Sequence, residues 1–158
     1  MAPPAHADRF EPLPPERAEL WRNFLNWPGR RYFPNVVGLQ LEEIRSDYAR
    51  IRLPYRDELQ QPAGVVHGGA VATLIDTVVV PAVASAYDAV PRMLTLTMNV
   101  QYLGAVVEED AVAEGWVQRR GRSTVFCRAE VRTEDGTVAA TGDLVYSVRA
   151  DGAPGPTR

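Results

Sequence analysis

An apolar segment in the middle of the chain, AVATLIDTVVVPAVASA (70–86), limits the possible folds most strongly. Such a segment must be buried, either in a bilayer or in a protein core. It is slightly short for a bilayer span and carries Asp76 and Pro81 near its middle, which argues against a membrane helix. We therefore expect a core helix from about Gly68 to Ala86, buried on all sides, with a kink or an early end at the proline. The β-branched run Val78–Val80 leaves a buried strand as the alternative interpretation.

The residues before this segment, QPAGVVHGG (61–69), combine an amide, glycines and a histidine at the expected helix start. Free backbone N–H groups at a helix start stabilise an anion or a developing oxyanion. Asp76 follows about two turns later, and a carboxylate in an apolar helix is costly unless it is paired or used chemically. The combination favours attack on a carbonyl group, with Asp76 as general base or nucleophile. A purely structural Asp76, paired with an arginine or capping a kinked helix, is the simpler alternative.

The spacing between Gly68 and Asp76 predicts a shared site. Eight residues of helix correspond to roughly 12 Å at ~1.5 Å rise per residue, so one carbonyl group cannot contact both residues of the same helix. If both residues act on one substrate, a second, antiparallel copy of the helix must supply one of them, and a two-fold symmetric dimer does this at two equivalent sites. The sequence therefore predicts a homodimer.

Composition excludes several classes of chemistry. All 17 basic residues are arginine, which excludes lysine-dependent phosphate loops, Schiff bases and lysine general bases. The single cysteine, Cys127, excludes an internal disulfide, and the presence of only two histidines, His6 and His67, argues against a histidine-rich metal site. A net charge of −3 gives no attraction to nucleic acid or to an anionic membrane. The first residues lack the apolar region of a signal peptide, so we expect a cytoplasmic protein.

Alternating polar and apolar residues predict strands on both sides of the central helix, after an N-terminal helix at Glu16–Trp27. The expected strands are Val36–Ile44, Asp47–Leu53, Leu94–Leu103, Ala111–Arg119, Ser123–Arg132 and Thr137–Val148, with a hairpin at Asp135-Gly136. This order indicates an α+β fold in which a curved antiparallel sheet wraps around one long helix. We expect a disordered tail over residues 1–15, one domain over 16–149 and a frayed tail over 150–158.

Several side chains near the motif are site candidates, each with a simpler structural explanation. His67 is more often a packed, hydrogen-bonded residue than an acid–base catalyst. The pair Gly68-Gly69 permits tight packing at a helix start or close approach of a ligand. Gln61 is either a solvated loop amide or a group that orients water or a thioester. Thr95, like Thr97, fits the polar face of a strand and is a weaker candidate.

The densest basic cluster surrounds a glycine late in the chain. Arg119, Arg120 and Arg122 flank Gly121, and Ser123 follows. A solvated hairpin explains this cluster without any ligand. The alternative is phosphate recognition, because guanidinium groups match phosphate oxygens and the glycine admits a bulge.

These residues resemble the hotdog-fold acyl-CoA thioesterases, specifically the PaaI-like branch that includes phenylacetyl-CoA thioesterase. The shared pattern is an amide, a glycine, His-Gly-Gly and an acidic residue on the central helix, here Gln61, Gly64, residues 67–69 and Asp76. The resemblance continues through TLTMNVQYL (95–103), the Gly-Arg hairpin and the last strand, and covers roughly residues 36 to 148.

The resemblance implies a role for each candidate. The N–H of Gly68 polarises the thioester carbonyl, and Asp76 of the facing subunit acts as base or nucleophile. Gln61, where the branch usually has asparagine, orients the thioester or water, and Thr95 lies near the hydrolytic water. The hairpin 119–123 matches a region that often binds coenzyme A phosphates. The implied protein is a hotdog homodimer, paired further into a homotetramer, that hydrolyses acyl-CoA without a metal or other cofactor.

Two other functions stay open at this point. A hotdog dehydratase or hydratase would need a histidine beside a carboxylate, and only His67 could serve. A non-catalytic module that binds acyl-CoA would keep the pocket but would not need Asp76. The sequence does not specify the acyl group.

Overall fold

A six-stranded antiparallel sheet curves around one long helix in the computed structural model, which describes residues 5–149. The helices are α1 (Pro15–Trp21), α2 (Phe33–Val37) and α3 (Gly68–Ala84). The strands are β1 (Gln40–Arg45), β2 (Tyr48–Leu53), β3 (Arg92–Tyr102), β4 (Ala111–Arg120), β5 (Thr124–Arg132) and β6 (Val138–Arg149), in the sheet order β1-β2-β4-β5-β6-β3. The predicted curved sheet around a central helix is confirmed, whereas the tail over 150–158 lies outside the described residues.

Helix α3 packs closely on the sheet because two strand residues opposite it have no side chain. A Cβ atom added at Gly142 would lie 2.5 Å from Ile75, and one added at Gly115 would lie 2.7 Å from Val78. Pro81 lies within α3 without ending it. The alternative of a buried strand at Val78–Val80 is therefore wrong, because burial against the sheet outweighs the weak helix preference of these valines.

One side of α3 is not covered by its own sheet. Ala72, Thr73, Asp76 and Val80 are half-buried and Gly69 is exposed, at spacings that place them on one helix face. We call these five residues the open helix face. The prediction of burial on all sides is wrong for this face, because the sheet reaches only the opposite one.

Strand β3 forms one edge of the sheet and is exposed along most of its length. Leu94 is 72% exposed and Leu96 is 60% exposed. A register shift in the β3–β6 pairing lies between Thr95 and Thr97. Thr95 consequently pairs with buried Tyr146 on the helix side of the sheet, and Thr97 points to the opposite side. The expectation that the two threonines share a polar face is therefore wrong.

Two predicted elements before β2 have different bounds. Helix α1 ends at Trp21 rather than Trp27, and the following turns include Leu25 with a φ of 75°. Residues 33–37 form helix α2 instead of the start of a strand, so β1 begins only at Gln40. The side chain of Asn35 accepts a hydrogen bond from the N–H of Tyr32 at 2.9 Å, which stabilises the start of α2, and Gly38 with a φ of 91° ends the helix.

The expected disordered tail is wrong for its described part, because residues 5–10 pack against the outer face of the sheet. The backbone N–H groups of Ala5 and His6 donate to the buried carboxylate of Glu114 at 2.9 and 3.1 Å. Phe10 stacks on Tyr48 with 5.2 Å between ring centroids. These contacts join residues more than 35 positions apart, so local composition could not indicate them.

Between residues 5 and 149, no helix is both long enough and apolar enough to cross a membrane.

Candidate active site

The start of α3 presents one free backbone donor. The side chain of His67 caps the helix, because its Nδ1 accepts a hydrogen bond from the N–H of Gly69 at 2.8 Å. The N–H groups of Ala70 and Val71 donate to the carbonyl of His67. No acceptor within residues 5–149 takes the N–H of Gly68, so this group can bind the oxygen of a ligand.

A cavity of about 210 Å³ lies at this helix start. Gln61, Gly68 and Tyr102 line it, together with Val65, Val66, Val71, Gly104, Ala105, Val106 and Ala139. The hydroxyl of Tyr102 donates to the carbonyl of Gly68 at 2.8 Å, and a Cβ atom at position 68 would lie 3.3 Å from the Tyr102 ring. Gly68 therefore gives the ring room to approach, and Gln61 shares the cavity with the free N–H.

Two hydroxyl groups hold the carboxylate of Asp76. Thr95 donates to Asp76 Oδ1 at 3.0 Å, and Tyr146 donates to the same oxygen. The Tyr146 hydroxyl also lies 2.9 Å from the backbone oxygen of Asp76. No residue between 5 and 149 donates to Oδ2, and Asp76 is half-buried on the open helix face. The carboxylate is therefore held by neutral donors rather than by an arginine, with one oxygen free to act.

Sequence reasoning missed Tyr146, which lies 70 positions from Asp76 in the chain. Its position in β6 follows the same inward alternation as Leu144 and Val148, and all three are buried. A buried tyrosine hydroxyl needs a hydrogen-bond partner, and this requirement was the available signal. What the sequence did not show was that Asp76 supplies the acceptor.

The structure does not unite the two halves of the predicted site within one protomer. Gly68 and Gln61 line the cavity at the start of α3, whereas Asp76 lies two turns further along the helix, where Thr95 of β3 contacts it. His67 is exposed at the helix start and makes no contact with Asp76. A single protomer therefore holds a free helix-start N–H and a carboxylate that cannot both reach one carbonyl group.

The hairpin between β4 and β5 has one tethered and two free arginines. Arg120 donates to Asp47 and, at 2.9 Å, to the carbonyl of Val83 near the end of α3. These contacts favour a structural role for Arg120. Arg119 and Arg122 are exposed, and neither guanidinium group forms an ion pair or hydrogen bond with any residue from 5 to 149.

The hairpin turn is closed by its backbone. The N–H of Gly121 donates to the carbonyl of Thr124 at 2.8 Å, and the carbonyl of Ser123 accepts from the N–H of Val148 at 2.9 Å. Ser123 is exposed, so its hydroxyl is accessible beside the free arginines. The turn therefore adjoins the end of β6.

A second pair of arginines lies where β3 begins and β6 ends. Arg92 and Arg149 are direct cross-strand neighbours, and like charges in that position repel. Neither is paired with a carboxylate among residues 5–149. Both line a cavity of about 500 Å³ together with Met93, Leu94 and Ser147. This arrangement can accept an anionic group.

Within residues 5–149, no three His, Cys, Asp or Glu side chains form a group that could hold a metal ion.

Proteins similar to this chain in sequence or fold include thioesterases and esterases. The family model of the thioesterase superfamily matches residues 63–140. A protein of Halobacterium salinarum, named as an esterase, is 33% identical to this chain over 111 residues. The match covers 67% of this chain and 73% of the length of that protein. A conserved protein of Pseudomonas aeruginosa has 28% identity and a TM-score of 0.71, covering 75% of this chain and 94% of its own.

The Escherichia coli PaaI protein from the phenylacetic acid degradation operon has a TM-score of 0.75 over 87% of this chain and 97% of its own. At 15% identity, this similarity shows a shared fold and nothing more. These similarities confirm the hotdog fold and the predicted enzyme class, a thioester hydrolase. The chain belongs to the thioesterase superfamily.

Proposed function

We propose that this protein is an acyl-CoA thioesterase that hydrolyses its substrate to a carboxylic acid and coenzyme A at sites shared across a homodimer. The observation that carries the proposal is the separation of the free Gly68 N–H from Asp76 by two helical turns. Both groups suit thioester hydrolysis, yet only a second protomer can bring them to one carbonyl group. The reaction uses water and the chain's own groups and requires no metal or redox cofactor.

The Gly68 N–H is the proposed oxyanion donor. It has no partner among residues 5–149 and lies at the positive end of the α3 dipole. The thioester carbonyl oxygen accepts this hydrogen bond, which strengthens as negative charge develops on the oxygen. Gln61 lines the same cavity, and its amide is the proposed group that orients the thioester or water.

The Asp76 carboxylate of the partner protomer is the proposed general base or nucleophile. Two features that the protomer does not fully cover support the dimer that this requires, namely the half-buried open helix face and the exposed edge strand β3. An exposed edge strand with leucines at 94 and 96 is a liability unless another chain pairs with it. A two-fold axis beside β3 would cover both features and set the two α3 helices antiparallel.

The nucleotide end of coenzyme A is proposed to bind around the hairpin. The side chains of Arg119, Arg122 and Ser123 have no hydrogen-bond or ion-pair partner among residues 5–149. Arg92 and Arg149, whose guanidinium groups are likewise unpaired within that range, lie beside a cavity of about 500 Å³. Guanidinium forks match phosphate oxygens, so these groups suit the phosphates of coenzyme A. The further assembly of two dimers into a homotetramer stays part of the proposal.

The geometry argues against the hydratase alternative. That reaction requires an imidazole beside the carboxylate. Here Nδ1 of His67 accepts a hydrogen bond from the Gly69 N–H, and the His67 side chain is exposed at the helix start. A pure binding module has no use for a carboxylate that two hydroxyls hold with one oxygen free.

Thiol release from a panel of acyl-CoA thioesters of different length and aromaticity tests the proposal. We expect wild type to release coenzyme A and Asp76→Asn to lose turnover while remaining a dimer in solution. Asp143→Asn is the matched control, because Asp143 is an exposed carboxylate on the other side of the sheet. Full turnover by Asp76→Asn, or no release from any thioester by wild type, would contradict the proposal.

A further inference from the structure

Tyr146 is tied to Asp76 at two points. The residue is 3% exposed, and its hydroxyl contacts both the backbone oxygen of Asp76, at 2.9 Å, and the carboxylate Oδ1. Burial, with the charge of Asp76 adding to it, raises the pKa of Tyr146 well above its ordinary value. The hydroxyl therefore keeps its proton at any pH at which the enzyme works and acts as a donor to Asp76.

The two oxygens of the carboxylate are consequently unequal. Oδ1 accepts from Thr95 at 3.0 Å and from Tyr146, whereas no donor from residues 5–149 reaches Oδ2. Donors stabilise the ionised carboxylate and fix its rotation about the Cβ–Cγ bond. Oδ2 is left with lone pairs available to a water molecule or a carbonyl carbon.

We propose that Tyr146 is a positioning residue for thioester hydrolysis, which holds Asp76 through Oδ1 so that Oδ2 is the reacting oxygen. This inference rests on the proposed function, because it assigns the task of Asp76 to one of its two oxygens. Tyr146 touches no substrate; it acts through Asp76 by donating to Oδ1 and holding the carboxylate in one orientation. Thr95 shares the task from the exposed edge strand.

A packing role for Tyr146 predicts a different result from a positioning role. Loss of packing would lower the folded fraction and reduce turnover by the same factor at every pH. Loss of a donor to the ionised carboxylate favours its protonated form, so activity would fall most on the acid side. The pH profile therefore separates the two roles.

The experiment compares Tyr146→Phe with Tyr48→Phe, followed as kcat and KM from pH 5 to 9. Tyr48 is an equally buried tyrosine whose hydroxyl donates to a carboxylate, Glu114 at 2.6 Å, on the face of the sheet away from α3. In Tyr146→Phe we expect the acid limb to move upward, so that kcat falls more at pH 5 than at pH 8, while KM changes little. In Tyr48→Phe we expect an unchanged acid limb and a lower Tm.

Carbon-13 NMR of aspartate-labelled protein, with the Asp76 signal assigned by Asp76→Asn, follows the carboxylate without any turnover. Its titration midpoint should rise in Tyr146→Phe and stay constant in Tyr48→Phe. Unchanged titration and an unchanged acid limb in Tyr146→Phe would overturn the positioning role. If the midpoint rises while wild type releases no thiol, Tyr146 does hold Asp76 and the proposed function is what fails.

Discussion

Replacing Gly68 by proline removes the proposed oxyanion donor from an otherwise intact helix start. Proline has no N–H and is well tolerated at the first position of a helix. The preceding residue, His67, already has φ −60° and ψ 134°, the extended conformation that a residue before proline prefers. We therefore expect Gly68→Pro to fold and to lose one hydrogen bond that matters only to the substrate.

Gly68→Ala is the matched control. Both substitutions add a Cβ atom about 3.3 Å from the ring of Tyr102, so both require that exposed ring to shift by a few tenths of an ångström. Only proline removes the N–H. Loss of one oxyanion donor costs about 2.7–4 kcal/mol of transition-state stabilisation, which corresponds to a fall in kcat of about 10²–10³.

Thiol-release kinetics with a saturating acyl-CoA measure this difference. We expect kcat of Gly68→Pro to lie about 10²–10³ below that of Gly68→Ala, with KM similar in the two variants, because the lost interaction strengthens in the transition state. Circular dichroism and Tm check that both are folded. Equal kcat values in the two variants would refute the assignment of the Gly68 N–H as the oxyanion donor.

Three further outcomes follow from the structure. Mixing inactive Asp76→Asn with inactive Gly68→Pro and allowing the subunits to exchange should restore about a quarter of wild-type activity. The reason is that about half of the dimers are then mixed, and each mixed dimer has one intact site out of two. If mass spectrometry shows exchange but no activity returns, the whole site lies in one protomer. Gly142→Ala should lower the free energy of unfolding by about 1–3 kcal/mol in a denaturant titration, because its Cβ would lie 2.5 Å from the nearest helix side chain. Gly104→Ala, whose Cβ would lie 3.8 Å from the nearest atom, should change the free energy of unfolding little. Burial raises the pKa of Cys127 to about 12, so Ellman's reagent at pH 8 should label this thiol only after denaturation; rapid labelling of the native protein would contradict its burial.

Much of the sheet could be predicted because its strands carry local patterns. Val125, Cys127, Ala129 and Val131 alternate along β5, and all four are buried as their spacing requires. The central helix was also readable from its length and hydropathy, although its Val78–Val80 run favours a strand locally. Where the hydrophobic pattern was long and regular, tertiary packing agreed with it.

Elements that depend on contacts distant in the chain could not be predicted. Val36 has a strand preference, yet it lies in α2, whose start is capped by the side chain of Asn35. The side of the sheet on which Thr95 lies depends on a register shift in its pairing with β6, which alternation alone does not reveal. The hydroxyl of Tyr146 reaches Asp76 only because β6 and α3 pack together.

The motif residues could be identified from the sequence, but the role of each residue could not. Gly68 and Asp76 were singled out by residue type and spacing, and the distance between them depends only on helix geometry. That His67 caps the helix, and that Arg120 is tied to Asp47, required knowledge of what lies next to each side chain.

The capping of α3 by His67 also limits the kinds of ligand that the start of that helix can bind. Many helix starts bind phosphate by offering several adjacent amides to its oxygens. In this protein one of those N–H groups donates to the imidazole, and two more donate to the main-chain carbonyl of His67. A single backbone N–H therefore remains available to a ligand. A lone donor suits one carbonyl oxygen and competes poorly for a free anion. An imidazole beside a reactive centre can therefore contribute to selectivity without exchanging a proton.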